Sequence, residues 1–159
     1  IDHLSLINKK TNLPLLRKDF IIDPYQILES KVYQADAILL IVSILSDKQM
    51  KDFINLADQY GLDCLIETHT EEDINRAINI GYPVIGINNR NLKNLSININ
   101  NTLNLMKKIP KEFIVVAESG IKSKTDIDKC NDVGVFNFLI GESILKSSNI
   151  NDKIREFLN

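Results

Sequence analysis

Two kinds of hydrophobic pattern alternate along the chain. Short apolar runs occur at 13–16, 37–42, 62–66, 84–87, 113–117 and 136–140. Each is apolar on both parities, which is how a parallel strand covered on both faces reads. Between the runs, apolar residues recur at helical spacing. They are Met50, Phe53, Ile54, Ala57 and Tyr60 in 46–60, Ile74, Ala77 and Ile78 in 70–80, and Ile127, Cys130 and Val133 in 123–133. Each set makes one stripe that must pack on a neighbour.

The ends of these helices are marked by their chemistry. Asp23-Pro24-Tyr25-Gln26, Ser46-Asp47-Lys48-Gln49, Thr70-Glu71-Glu72-Asp73 and Ser123-Lys124-Thr125-Asp126 each offer a capping oxygen, with an acid or amide three residues on. Pro24 suits the first helical position, and Gly61, Gly81 and Gly134 stand where helices stop. The pattern predicts an opening helix followed by six βα units. No linker or charge block divides them, so residues 1–159 are expected to form a single α/β domain with a parallel sheet.

Such a sheet closes in one of two ways. An open doubly wound sheet gathers ligand groups at one switch point. A (β/α)8 barrel draws them from many strand ends. Here the runs lead into Lys18, Glu67, Asn88-Asn89-Arg90, Glu118-Ser119-Gly120 and Gly141-Glu142-Ser143, and only the second run ends without a reactive group. That distribution favours a barrel. Neither GxGxxG nor GxxxxGK[ST] is present, which argues against a dinucleotide or P-loop site.

Composition narrows the class further. With 44% hydrophobic and 25% charged residues, the chain can fill a core and is not a disordered or low-complexity segment. Nineteen basic residues against twenty-one acidic ones leave no basic excess for nucleic acid or an anionic membrane. No apolar run approaches the ~20 residues that span a bilayer, and the opening Ile1-Asp2-His3 carries no targeting pattern, so a cytoplasmic location is expected. Cys64 and Cys130 imply neither a disulfide framework nor a zinc site, and no metal is expected. Cys64 reads as a core residue.

Several groups at the strand ends suit chemistry. Ser119-Gly120 and Gly141-Glu142 let the backbone approach an anion closely, in the last two units, where barrels commonly hold a phosphate. Lys18 and Glu67 follow apolar runs directly, and position alone leaves an acid/base pair and a structural ion pair equally open. Asn88 and Arg90 read either as an Asn-rich turn or as an amide and a guanidinium for an anionic ligand. His69 reads as a solvated loop histidine, and the stretch 98–101 as a surface loop with a helix cap. Phe20, Leu39, Leu92 and Leu95 suit either the core or an apolar wall around an aromatic ligand.

Five segments in register resemble one family. They are Leu15-Leu16-Arg17-Lys18-Asp19-Phe20-Ile21-Ile22-Asp23-Pro24-Tyr25-Gln26, Leu39-Leu40-Ile41-Val42, Gly86-Ile87-Asn88-Asn89-Arg90-Asn91-Leu92, Ala117-Glu118-Ser119-Gly120-Ile121 and Leu139-Ile140-Gly141-Glu142-Ser143. Together they are similar to indole-3-glycerol phosphate synthases over essentially the whole chain. The resemblance implies a (β/α)8 TIM barrel, present here as strands three to eight, and the tryptophan-pathway conversion of 1-(2-carboxyphenylamino)-1-deoxyribulose 5-phosphate to indole-3-glycerol phosphate. It implies Lys18 as general acid, Glu67 as the group that stabilises positive charge and takes protons, and Asn88 as a catalytic amide. Arg90 and Glu118 would bind substrate, with Arg90 near its carboxylate. Phe20, Leu39, Leu92 and Leu95 would line the anthranilate pocket. Backbone N–H groups of Ser119, Gly120, Gly141 and Glu142 would cradle the phosphate. No cofactor is implied, and the expected partner is a phosphorylated small molecule.

Three departures from that family stand out. Gln34 replaces a usual glycine at a helix C-terminus, for which a modest local cost is expected. Gly81-Tyr82-Pro83 replaces a small-residue turn, with no functional consequence expected. The family's first strand, with its Lys-x-x-Ser-Pro-Ser-like motif, a second catalytic lysine and phosphate contacts, is not found. A closed barrel takes ~250 residues, so a chain of 159 without an initial Met is expected to be a C-terminal part of a longer protein and inactive alone. Phosphoribosylanthranilate isomerase would share the fold and phosphate site without the Lys18 and Asn88 segments. A non-enzymatic open α/β module that binds a phospho-ligand would cluster its polar groups at one switch point, and a Lys18–Glu67 separation above about 15 Å would revive it.

Overall fold

The computed structural model describes residues 1–158. Its elements are α1 (Asp2–Asn8), β1 (Leu16–Arg17), α2 (Pro24–Val32), β2 (Ala37–Ile41), α3 (Asp47–Gln59), β3 (Asp63–Thr68), α4 (Glu71–Ile80), β4 (Val84–Asn88), α5 (Asn100–Leu105), β5 (Ile114–Glu118), α6 (Lys124–Asp132), β6 (Asn137–Leu139), α7 (Glu142–Leu145) and α8 (Ile150–Leu158). The chain forms two compact units. One comprises Ile1–Glu67 with Arg76–Tyr82, the other Thr68–Asn75 with the chain from Pro83 onward.

In the first unit β1, β2 and β3 are parallel and follow chain order. Leu39 pairs with Leu65 and Ile41 with Glu67, so these four share one face. Ile38, Leu40, Cys64 and Ile66 occupy the other face and are buried, the double coverage that continuous apolar runs require. Arg17 pairs with Ile38 and points to that second face. There its guanidinium donates to the Gln26 carbonyl at 2.9 Å and to Ser30 Oγ at 3.1 Å, and pairs with Glu29 at 2.9 Å. Adjacent side chains of a strand point oppositely, so pinning Arg17 to α2 leaves Lys18 for the face of Glu67.

In the second unit β4, β5 and β6 are parallel, again in chain order, and Asn88, Glu118 and Leu139 stand on one rung. Sequential parallel order without reversal is the winding of a β/α barrel and lacks the switch point of a doubly wound sheet.

Capping follows the sequence reading. Asp23 and Gln26 form a reciprocal capping box, as do Ser46 and Gln49. Thr70 N–H donates to Asp73 Oδ2 at 2.9 Å, and Asp73 N–H donates back to Thr70 Oγ1 at 3.1 Å. Helices α2, α3 and α6 end in the same motif. The N–H two residues past the cap reaches back to the last turn: Ala35 to Ser30, Leu62 to Ala57 and Val135 to Cys130. The residue before each donor is left-handed: Gln34 at φ 63°, Gly61 at 61° and Gly134 at 92°.

Two of the six apolar runs are shorter as strands than expected. Run 13–16 contributes only Leu16, and Leu13 is 74% exposed. Pro14 has no N–H to give, and the Leu15 N–H goes to the Asp36 carboxylate at 2.7 Å instead of a ladder. Run 136–140 keeps only 137–139, and Phe136 is largely exposed. Among the described residues β6 pairs with β5 alone, and none of its three residues is fully buried. Tyr82 has a structural contact: its hydroxyl accepts the Cys64 N–H at 2.9 Å, tying the turn after α4 to the start of β3. No described helix is long and apolar enough to cross a membrane.

Candidate active site

In the first unit the ends of β1 and β3 bring Lys18 and Glu67 together. Lys18 Nζ lies 3.2 Å from Glu67 Oε2, with side chains 45% and 3% exposed. The carboxylate is held by its strand inside the fold, while the ammonium reaches outward on a flexible stem. Asp19 turns the chain after Lys18: its Oδ1 accepts the Phe20 N–H at 2.9 Å and its Oδ2 pairs with Arg17 at 3.1 Å. Burial pushes the Asp19 carboxyl up, but the Phe20 N–H and Arg17 outweigh it and leave it below the ordinary range. Phe20 is exposed, while Leu39 is buried on the Glu67 face.

In the second unit Asn88 and Glu118 are buried on one rung. The Asn88 Oδ1 accepts the Arg90 N–H at 2.9 Å. Its carbonyl accepts from His69 Nδ1 at 2.7 Å and from Asn101 Nδ2 at 3.3 Å. His69 is therefore half-buried with its tautomer set, not a solvated loop residue. Asn101 likewise is no surface residue, since it also donates to the His69 carbonyl at 2.9 Å. Leu95 is held at φ 61°, rare for a bulky residue, with its side chain 63% exposed; Leu92 is exposed less.

The turn after β5 has two successive left-handed residues, Ser119 at φ 63° and Gly120 at φ 78°. A Cβ at residue 120 would lie 2.7 Å from Ile97 Cγ2 and 3.6 Å from Asn89 Cβ, so only glycine fits. Asn89 braces this turn. Its Nδ2 donates to the Ser119 carbonyl at 3.0 Å, and its Oδ1 accepts from Thr102 N–H at 3.0 Å and Oγ1 at 2.9 Å. Beside the turn is a cavity of about 300 Å³ lined by Ile97, Gly120, Ile121, Lys122, Glu142, Ser143 and Lys146. Gly141 immediately precedes α7, and Glu142 pairs with Arg90 at 2.6 Å and with Lys146 at 2.6 Å. Those contacts, the Lys146 bond first, hold the Glu142 carboxyl below its usual range.

The sequence reading named Gly120 and Glu142 in this cavity but missed Lys122, Lys146 and the brace Asn89. Lys146 was findable as the i+4 partner of Glu142. Among the described residues there is no cluster of His, Cys, Asp and Glu suited to a metal.

Parallel βα units with polar groups at the strand ends define the class as α/β-barrel. Solved structures carry the same fold: 3-hexulose-6-phosphate synthase from Salmonella typhimurium superposes with a TM-score of 0.81 at 12% identity, covering 98% of this chain and 76% of that one. N-acetylmannosamine-6-phosphate 2-epimerase from Clostridium perfringens gives 0.71 at 16% identity, covering 99% and 74%. The fold is thus that of a (β/α)8 barrel, represented here by six strands.

The chain belongs to the indole-3-glycerol phosphate synthase family, whose model matches residues 1–157. It is 47% identical over 156 residues to indole-3-glycerol phosphate synthase from Acetivibrio thermocellus, covering 98% of this chain and 60% of that protein. It is 49% identical over 156 residues to the same-named protein of Caldanaerobacter subterraneus subsp. tengcongensis, again covering 98% and 60%. The chain thus spans about 60% of the length of these relatives.

Proposed function

We propose that the protein containing this chain is an indole-3-glycerol phosphate synthase, and that residues 1–159 are one stretch of a single barrel domain. The observation that carries the reading is the Lys18–Glu67 pair at 3.2 Å, an outward cation backed by a buried carboxylate. In the reaction, the ring carbon bearing the carboxylate of 1-(2-carboxyphenylamino)-1-deoxyribulose 5-phosphate attacks the ketone carbon. CO2 then leaves that ring carbon, and loss of water completes the indole.

Each step needs a group of the type found here. A ketone becomes electrophilic when a cation donates a proton or hydrogen bond to its oxygen, the role of Lys18. Ring attack builds positive charge near the nitrogen, which the Glu67 carboxylate stabilises before accepting a proton. Asn88 holds a substrate hydroxyl, Arg90 faces the carboxylate that departs as CO2, and Glu118 completes the polar lining. Phe20, Leu39, Leu92 and Leu95 supply apolar surface for the aromatic ring. Three of these are exposed as a ligand contact requires, Leu95 in a strained conformation of the kind found at binding sites. The phosphate rests on the backbone at Ser119, Gly120, Gly141 and Glu142, beside Lys122 and Lys146.

The test is complementation of a tryptophan auxotroph that lacks the synthase, using the gene that encodes this chain in its full reading frame. Growth without tryptophan that is lost in Lys18→Ala is the expected result. Growth unaffected by Lys18→Ala removes the role assigned to that residue. No growth with the unaltered gene, when the protein is produced, removes the reading.

A further inference from the structure

We propose that Glu142 is an internal competitor for anions: its carboxylate occupies Arg90 and Lys146 until the phosphate of a ligand displaces it, so that it sets the affinity of the phosphate pocket. The proposal rests on the phosphate reading of that pocket and reverses the contribution of the Glu142 side chain, whose backbone alone was assigned to the anion.

The geometry that carries it lies within the second unit. Glu142, Lys122 and Lys146 line the same cavity as Gly120. The Glu142 carboxylate divides its two oxygens, Oε2 to Arg90 and Oε1 to Lys146, each at 2.6 Å. All three side chains keep access to solvent, at 51% for Glu142, 31% for Arg90 and 74% for Lys146, so the pairs can exchange. The other polar side chain of the lining is already committed, because Ser143 Oγ donates to the Ile121 carbonyl at 2.7 Å.

A phosphomonoester carries roughly −1.5 to −2 charges at neutral pH. Placed in this cavity it meets a carboxylate of like sign, and two of the cations within reach, Arg90 and Lys146, are already paired with that carboxylate. Binding that uses Lys146 or Arg90 therefore requires that they leave Glu142, while Lys122 lines the cavity outside that exchange. The cost of that exchange is subtracted from affinity, as for any ligand whose competent state must first be populated. Glu142→Gln keeps the size and backbone N–H of residue 142 while removing the charge, and it frees both cations.

The experiment is a titration of the full-length protein that contains this chain with inorganic phosphate, followed by the amide resonances of Gly120 and Gly141. Glu142→Gln is expected to bind about fivefold more tightly than the unaltered chain, the size of effect an exposed charge pair supports. Lys146→Gln is expected to weaken binding, and by a larger factor in the Glu142→Gln background, where the lysine is no longer shared. Tighter binding in Glu142→Gln with an equal Lys146→Gln effect in both backgrounds overturns the exchange and leaves only repulsion. Unchanged or weaker binding in Glu142→Gln overturns the proposal while the phosphate reading stands. An unaltered chain whose Gly120 and Gly141 resonances ignore phosphate overturns that reading, and the proposal with it.

Discussion

Lys18 and Glu67, 49 residues apart in sequence, meet at 3.2 Å with the carboxylate buried and the ammonium half in solvent. A separation above about 15 Å would have revived the open-sheet alternative, and the pair is instead in contact. An ion pair of this shape also separates two roles that a cation can play. Lys18→Arg retains a positive charge beside Glu67 but cannot give up a proton near neutral pH. In the full-length protein we expect Lys18→Arg to lower kcat by about 10²–10⁴-fold, the usual contribution of a positioned acid, with the melting temperature little changed. Steady-state kinetics beside a thermal melt check it, and kcat within threefold of the parent would reduce Lys18 to an electrostatic anchor.

Gln34 occupies the position that Gly61 and Gly134 occupy in the two sister motifs, at a nearly identical φ to Gly61. A left-handed conformation costs a non-glycine residue roughly 1–2 kcal/mol. The Gln34 side chain is exposed, so little is lost with it. Gln34→Gly is therefore expected to raise stability by about 1 kcal/mol, or about 2–4 °C in melting temperature for a chain of this size. Part of the gain is offset by the greater unfolded-state freedom of glycine. A melt that moves down instead shows that the strain at Gln34 is smaller than that entropy.

Gly120→Ala combines two penalties, a Cβ 2.7 Å from Ile97 Cγ2 and a residual φ of 78°. The expected cost is about 2–3 kcal/mol by chemical denaturation. Ile97→Ala in the same chain relieves the contact but not the backbone strain, so the double variant should recover only part of that loss. Full recovery would mean that φ contributes nothing.

The two thiols give the alkaline limb a defined sign. Burial, followed by Asp63 and Asp58, pushes Cys64 up to about 12; burial, followed by Asp126, pushes Cys130 up to about 11. In the unfolded chain a thiol ionises near 8.5. The unfolded state therefore loses its protons first, so this contribution is complete below that value and declines as pH climbs toward 11–12. The loss from Cys64 should reach about 2 kcal/mol by pH 10. Denaturation midpoints between pH 8 and 10.5, compared with a Cys64→Ser/Cys130→Ser variant, isolate it. A slope identical in the two proteins would remove the thiols from the account.

The helices were legible almost to the residue, because a capping box is a local object. Asp23 with Gln26, and Ser46 with Gln49, need only three residues of chain to meet. The strands were legible by type but not always by extent: Pro14 and the one-sided position of β6 shortened two of them. For the site, sequence reading found residues one at a time. It placed Lys18 and Glu67 at strand ends but left an acid/base pair and a structural ion pair equally open. It gave no role to Arg17, the neighbour of Lys18, whose guanidinium strand parity sends to Ser30 and Glu29 on the opposite face.

Periodicity, caps and turn residues thus determined the six βα units, since each depends on neighbours in sequence, and the polar groups at the strand ends favoured a barrel. The Lys18–Glu67 pairing, the Asn89 brace under Ser119 and the sharing of Glu142 between Arg90 and Lys146 were decided only by tertiary structure. Apart from the one-turn spacing of Glu142 and Lys146, these contacts join groups at least thirty residues apart. No local pattern encodes which of many polar loop residues a particular turn will bring within 3 Å of one another.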